Sequence, residues 1–289
     1  VGDNDTFFTQ SKIGYLINDF NEKEYNKAVE SINDLLQIPK SFLRTTAIDL
    51  FSLQKGVEKY DKIYRVLEKN TAKKILFIVY NRKERSPGQR FRFEQYLDYL
   101  NENNISHTYS NLLNERDDVI FYSKGKYLQK LIIELKSFRR RYRDIKLAGM
   151  HDIVFVYREA FMLGTTFFEK KYKKKAKLVF DFDDAIWLND VSHGNMELKW
   201  LKAPSKTKKI IKLSNQVFAG NQYLAYFALQ YNSDVAIVPT TINTQYHIRK
   251  SKNTKNGRVC IGWTGTSTTL KHFETAIPFL IELKRKFKD

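Results

Sequence analysis

Residues 177–187 read KLVFDFDDAIW. An apolar run, Leu178 to Phe180, leads straight into three carboxylates, Asp181, Asp183 and Asp184, closed by an apolar and aromatic cap. A short apolar run after a lysine-rich segment is the pattern of a strand buried inside a sheet. Alternate residues of a strand share a face, so Asp181 and Asp183 are expected on one side and Asp184 on the other. Three carboxylates at the carboxyl end of a buried strand are costly unless they are paired, solvated in a cleft or used in chemistry. Ligand crevices of open α/β sheets lie outside those carboxyl ends. Two readings stand together here. The acids form an active-site cluster, or Asp184 caps a helix ahead of Ala185 and Ile186 while another acid pairs with a lysine. A bare D-x-D also suggests a divalent cation, but the spelling is weak without phosphate-bearing surroundings.

Outward from this strand, apolar runs and amphipathic stretches alternate. Strands are expected at 75–80, 105–109, 153–157, 216–219 and 235–238, with helices over 91–101, 128–146, 164–174, 205–213 and 221–231. This alternation predicts a doubly wound, Rossmann-like parallel sheet. The first strand is followed by a polar loop, NRKERSPGQRFR (81–92), that lacks G-x-G-x-x-G, so the dinucleotide fingerprint is absent. In the basic helix 128–146, Leu128, Leu131, Ile132 and Leu135 read as the apolar face, followed by Arg139, Arg140, Arg141 and Arg143. Ahead of this unit come a short strand at 13–17 and helices over 22–36 and 42–53. A third apolar stripe runs through Val57, Tyr60, Ile63, Tyr64 and Leu67, and this helix is expected to pack on the sheet that follows it. Behind it, 251–257 has linker composition, and a strand at 259–263, a Gly/Ser/Thr loop and a helix over 270–287 read as the start of another βαβ unit.

The 289 residues are 42 % hydrophobic and 28 % charged, which excludes a disordered chain and leaves room for two domains. The single cysteine, Cys260, excludes an intrachain disulfide and fits a reducing compartment. No apolar run approaches the ~18 residues needed to span a bilayer, and no signal peptide opens the chain, so a cytoplasmic location is expected. Because the first residue is Val1, a piece of a longer polypeptide is expected. Net charge is +18, and residues 124–177 hold sixteen basic against five acidic residues. That balance favours an anionic partner, either an anionic membrane surface, phosphorylated small molecules or nucleic acid. No recognised nucleic-acid motif or stacking platform accompanies it, so nucleic acid is not expected.

Six segments carry a resemblance: GQRFRFEQYL (88–97), DIVFVYREAFMLG (152–164), FDFDDAIW (180–187), FAGNQYLAYFA (218–228), VAIVPTTIN (235–243) and IGWTGTSTTLKHF (261–273). In this order they resemble a retaining glycosyltransferase of the two-Rossmann-domain (GT-B) class, in the group that includes bacterial cell-surface polysaccharide enzymes. Residues 1–70, with VGDNDTFF…IGYLI and FSLQKGVEKYDKIYRVLEK, resemble the end of a second domain of the same class. The resemblance implies the end of one transferase over 1–70. An N-terminal, acceptor-side Rossmann-like domain over 73–250 follows, and then the start of a donor-side domain over 258–289. A tandem polypeptide explains this order first and a circular permutation second. The resemblance places the family's Glu-x7-Glu donor helix in the middle of the donor-side domain, a part that none of these segments matches, so the fragment is expected to be inactive alone.

The resemblance also assigns roles. A nucleotide sugar is the donor substrate, with no other cofactor and no metal, and the acceptor is a saccharide or lipid-linked. Asp183 and Asp184 are the expected catalytic carboxylates, near the acceptor and the transferred sugar, with Asp181 deeper. Gly88, Gln89, Arg90 and Arg92 are expected to meet phosphate or acceptor, since glycine permits close backbone approach and arginine forks onto phosphate oxygens, or else to form a solvated basic loop. Arg158 and Glu159 are expected at the neighbouring strand end, either in the site or as structural partners of the acids. Asn221 is either a helix cap or a sugar contact. Gly265, Thr266 and Ser267 are expected to offer backbone amides to the donor phosphate, or to cap a helix. The alternative function is a non-catalytic, basic anion-binding protein. A better use of the basic helix is docking on anionic lipid, peripheral to the inner face of a membrane.

Overall fold

The computed structural model describes residues 13–17, 19, 21–67, 74–188, 203, 205–244, 261–263 and 273–287. The chain divides into two compact units, one of Asp49–Thr244 and one of Asp3–Ile48 with Gln245–Asp289. Residues 13–17 carry no regular structure, in place of the expected strand. Helices α1 (Glu22–Glu30) and α2 (Ile32–Gln37) replace the single helix expected over 22–36. Between them the Ser31 hydroxyl donates back to the Ala28 carbonyl at 2.7 Å, which competes with the helical ladder. Helix α3 (Lys40–Phe51) runs through the boundary between the units.

The larger unit opens with α4 (Leu53–Leu67) and then builds a sheet. Its elements are β1 (Lys74–Val79), α5 (Pro87–Arg92), a 3-10 turn (Glu94–Tyr96), α6 (Leu97–Glu102), β2 (Ser106–Asn111), α7 (Glu115–Tyr122), α8 (Tyr127–Ala148) and β3 (Ile153–Tyr157). There follow α9 (Phe167–Lys173), β4 (Lys177–Phe182), α10 (Ser205–Leu213), β5 (Gln216–Ala219), α11 (Gln222–Leu229) and β6 (Val235–Ile237). The six strands pair in parallel in the order β2-β1-β3-β4-β5-β6. The α/β class and the Rossmann-like parallel sheet are as the alternation of the sequence required. The strand order reverses between β1 and β3, which is where such sheets open a crevice.

Strand periodicity sorts the core into two layers. Leu76, Ile78, Val154, Val156, Leu178 and Phe180 face α8 to α11. Ile75, Phe77, Ile153, Phe155, Val179 and Phe218 face the other way, onto Tyr60 of α4 and Phe93, Tyr96, Leu97 and Leu100 of the α5–α6 segment. Thus α4 does pack on the sheet. Tyr60 stacks obliquely on Tyr96 at 4.9 Å and meets Phe218 edge-on at 5.4 Å, and Ser52 forms a parallel bridge with Ile242.

Two helices differ from expectation. The one expected over 91–101 starts at Pro87, whose fixed φ suits a first helical turn, and it breaks at Phe93 (φ −145°). Helix α7 was not anticipated. Its signature is local: the Asn114 side chain accepts from the Asp117 amide at 2.8 Å, and three acids occupy the first turn. Near the C-terminus, α12 (Ile277–Lys286) falls within the expected 270–287 helix. Residues 261–263 show no strand, and the remainder of the expected 259–263 strand and the 251–257 linker lie outside the described residues. No helix among the described residues is long and apolar enough to cross a membrane.

Candidate functional site at the carboxyl end of the sheet

Strand β4 stops at Phe182, so Asp183 and Asp184 belong to the turn beyond it and the strict alternation no longer holds. Both acids converge on one guanidinium. Arg158 Nε donates to Asp183 Oδ1 at 2.9 Å, and Arg158 Nη2 donates to Asp184 Oδ2. Arg158 follows β3 directly, with φ +64°, in the left-handed region that a non-glycine residue occupies only when its surroundings enforce it. The enforcing contact is its own amide, which donates to the Asp181 carbonyl at 2.7 Å. Tyr157, the last residue of β3, adds a second donor to Asp183 Oδ1 at 2.9 Å, and its ring lies 5.1 Å below the guanidinium.

Two glycines let other backbones close over Asp183. A Cβ on Gly88 would collide with the Tyr157 hydroxyl and lie 3.0 Å from Asp183 Oδ2, and one on Gly220 would lie 3.1 Å from Asp183 Cα. Asp183 Oδ2 takes no hydrogen bond from the described residues and points along Gly88. The site therefore gathers the ends of three strands around a carboxylate with one open oxygen.

The electrostatics separate the two acids. Burial alone would raise the Asp183 carboxyl, but the charge and hydrogen bond of Arg158, helped by Arg92 and the Tyr157 hydroxyl, hold it below the usual carboxylate range. Asp184 moves upward through partial dehydration and the Asp183 charge, against the pull of Arg158. Asp184 has 65 % of its side chain exposed, against 13 % for Asp183. Burial keeps Tyr157 protonated and a donor, opposed only in part by Arg158. Asp183 is thus an ionised acceptor near neutral pH, held by two fixed donors.

The other expected residues separate into different structures. Arg92 and Asp181 are both fully buried, and Arg92 forks onto the Asp181 carboxylate through Nε (3.1 Å) and Nη2 while Nη1 meets the Val238 carbonyl. Neither has surface to offer a substrate. Gln89 is also fully buried, with Nε2 donating to the Asn81 carbonyl (3.0 Å), Glu94 (3.1 Å) and the Tyr109 hydroxyl (2.8 Å), so it pins the loop after β1. Arg90 is exposed and lies 4.9 Å over the Phe91 ring, away from any acid. Glu159 accepts from Tyr80 at 2.5 Å and from the buried Lys206 at 2.9 Å, beside rather than within the Asp183 cluster. Asn221 caps α11, its Oδ1 accepting from the Leu224 amide at 2.9 Å. Gly265, Thr266 and Ser267 lie outside the described residues. Of the expected set, the structure brings together Gly88, Arg158, Asp183 and Asp184.

Tyr157 and Gly220 were not anticipated. A tyrosine ending an apolar strand reads as core, and a glycine before a capping asparagine reads as a turn; neither pattern names the distant acid that it meets. Among the described residues no group of three or more His, Cys, Asp or Glu side chains could hold a metal ion. No family model matches the chain, and no curated protein matches it.

Proposed function

We propose that the chain is the acceptor-side part of a glycosyltransferase, not active by itself, that moves a sugar from a nucleotide-sugar donor to a saccharide or lipid-linked acceptor. In this reading the Gly88–Tyr157–Arg158–Asp183–Asp184 cluster holds the transferred sugar and the acceptor. The supporting observation is the ionised Asp183 with its open Oδ2 at the carboxyl end of a parallel sheet, together with the six-segment resemblance. Sugar hydroxyls are donors that such an oxygen accepts, and a fixed carboxylate also stabilises an oxocarbenium-like transition state. Arg158, one-third exposed, holds both carboxylates in position through its guanidinium. The bond from the anomeric carbon to the diphosphate oxygen breaks, the bond to the acceptor oxygen forms, and the acceptor proton is released. The nucleotide sugar is a substrate here, and no further cofactor enters the reading.

Calorimetric titration of the chain with nucleoside-diphosphate sugars and with free saccharides tests it. Asp183→Asn is expected to weaken sugar binding by about tenfold or more and to lower the melting temperature modestly, because asparagine still accepts from Tyr157 but no longer carries the charge paired with Arg158. Equal affinity in wild type and variant, or no binding of any sugar, would remove the proposal.

A further inference from the structure

Helix α8 is turned inside out. Its buried face is mostly polar, with Lys130, Ser137, Arg141 and Asp144 beside Ile133 and Ala148, each at most 4 % exposed. Arg141 explains why, because its guanidinium donates to the carbonyls of Val79, Ser110 and Ala160 at the ends of three segments of the sheet, and to Asp144 at 2.8 Å. The opposite face carries Leu128, Leu131, Ile132, Leu135 and Tyr142, each 52 to 79 % exposed, with Phe138 at its edge against Phe161 and Phe168. Their spacing of three and four residues makes one continuous stripe.

The exposed charges that continue the stripe have one sign, while Lys136 on its flank pairs with Asp117 of α7 at 3.4 Å. Arg139, Arg143 and Lys146 are exposed and continue the same face toward its C-terminal end, where Lys175 reaches to 3.7 Å from where a Gly149 Cβ would lie. A groove of about 690 Å³ between β2 and this end of the helix is lined by Arg140, Arg143 and Lys146. Of the five acids in 124–177, Asp144 and Glu169 are buried, Glu134 is half-buried, Glu159 is held by Lys206, and Asp152 is exposed.

An apolar stripe of this size needs a cover. A second copy of the chain would oppose two cationic faces, which costs association. An anionic bilayer answers both features, since hydrocarbon takes the leucines and aromatics and lipid phosphate takes the arginines and lysines. We propose that α8 lies in the plane of an anionic lipid surface, with the 128–142 stripe below the headgroups and Arg139, Arg143 and Lys146 on the phosphates. At 1.5 Å per residue the 22-residue helix lays about 33 Å along that surface. This proposal stands apart from the transferase reading and survives its failure.

Vesicle flotation of the full chain tests it, comparing phosphatidylcholine with phosphatidylcholine–phosphatidylglycerol mixtures. Binding is expected to be at least about tenfold tighter to the anionic vesicles. It should fall about tenfold or more in each of Leu131→Ser/Leu135→Ser and Arg139→Glu/Arg143→Glu. A Leu131→Trp variant should add a blue-shifted emission quenched by brominated acyl chains. The far-ultraviolet circular dichroism of all variants should match wild type, since every changed side chain is exposed. Absence of vesicle binding, or binding indifferent to lipid charge or to the leucine substitutions, would overturn it. So would a dimer in sedimentation that Leu131→Ser/Leu135→Ser dissolves, or salt-sensitive binding to duplex DNA without vesicle binding.

Discussion

Arg158 carries the site. Its left-handed backbone turns the chain so that one guanidinium meets two acids from the next strand end, and the cost of that conformation is a few kcal/mol at most. The tightest test at this scale is Gly88, where a methyl group collides with the Tyr157 hydroxyl. Gly88→Ala is expected to destabilise the chain by about 1–3 kcal/mol and to abolish sugar binding, read by denaturant melts and calorimetry. A second prediction concerns Glu134. Burial, reinforced by Glu159 and opposed by Lys206, raises its carboxyl from 4.5 to about 7, and its Oε2 has no hydrogen-bond partner. Between those pH values the folded chain holds a proton that the unfolded chain has lost, so stability falls as pH rises from about 4.5 to 7 and levels above it. Glu134→Gln should flatten that slope in melts recorded across the range. Asp183 and Asp184 were legible in the sequence because three acids ending an apolar run are conspicuous. Arg92, Gln89 and Asp181 were not separable from them, because residue type does not say which polar group a fold buries with a partner.

At the scale of elements, two buried arginines hold the sheet from opposite faces. Arg92 joins α5 to β4 and to the segment after β6, and its own carbonyl accepts from Tyr60 of α4 at 2.9 Å. Asp181, with Tyr60 and Asp183, outweighs the burial of that guanidinium, which stays charged, while burial raises the Asp181 carboxyl against the pull of Arg92. Removing one partner leaves the other charge buried, so Arg92→Ala should cost about 3–5 kcal/mol in chemical denaturation. Arg92→Met with Asp181→Leu should recover much of that loss. Arg141 does the corresponding work under the carbonyl ends of β1 and β2. Helix α8 was thus legible as an element, but not which of its faces the sheet buries. The sequence offers two stripes, one of leucines and one of Ile133, Ser137, Arg141 and Asp144, and the fold buries the second. The buried carbonyls of Val79, Ser110 and Ala160, at the ends of β1 and β2 and in the turn after β3, need donors more than the core needs another leucine. The exposed leucine positions should then be nearly neutral for stability, with Leu131→Ser changing it by no more than about 0.5 kcal/mol.

At the scale of the whole molecule, the sheet unit begins at Asp49, so α4 is part of its structure. A chain of residues 49–244 is expected to unfold in one cooperative transition, and the same chain begun at residue 74 should be markedly less stable, since it loses Tyr60 and the Ser52–Ile242 bridge. The parallel sheet was legible because strand and helix periods alternate regularly. The packing of α4 was legible from its apolar stripe. What the sequence does not show is which side chains from separate strands meet at the crevice, and that geometry carries the functional reading. The most direct test is a titration of isotopically labelled chain with nucleoside-diphosphate sugars, followed by amide resonances. Shifts centred on Gly88, Arg158, Asp183 and Gly220, and lost in Asp183→Asn, are the predicted result. Shifts elsewhere, or shifts that persist unchanged in Asp183→Asn, would contradict the assignment of this cluster as the sugar site.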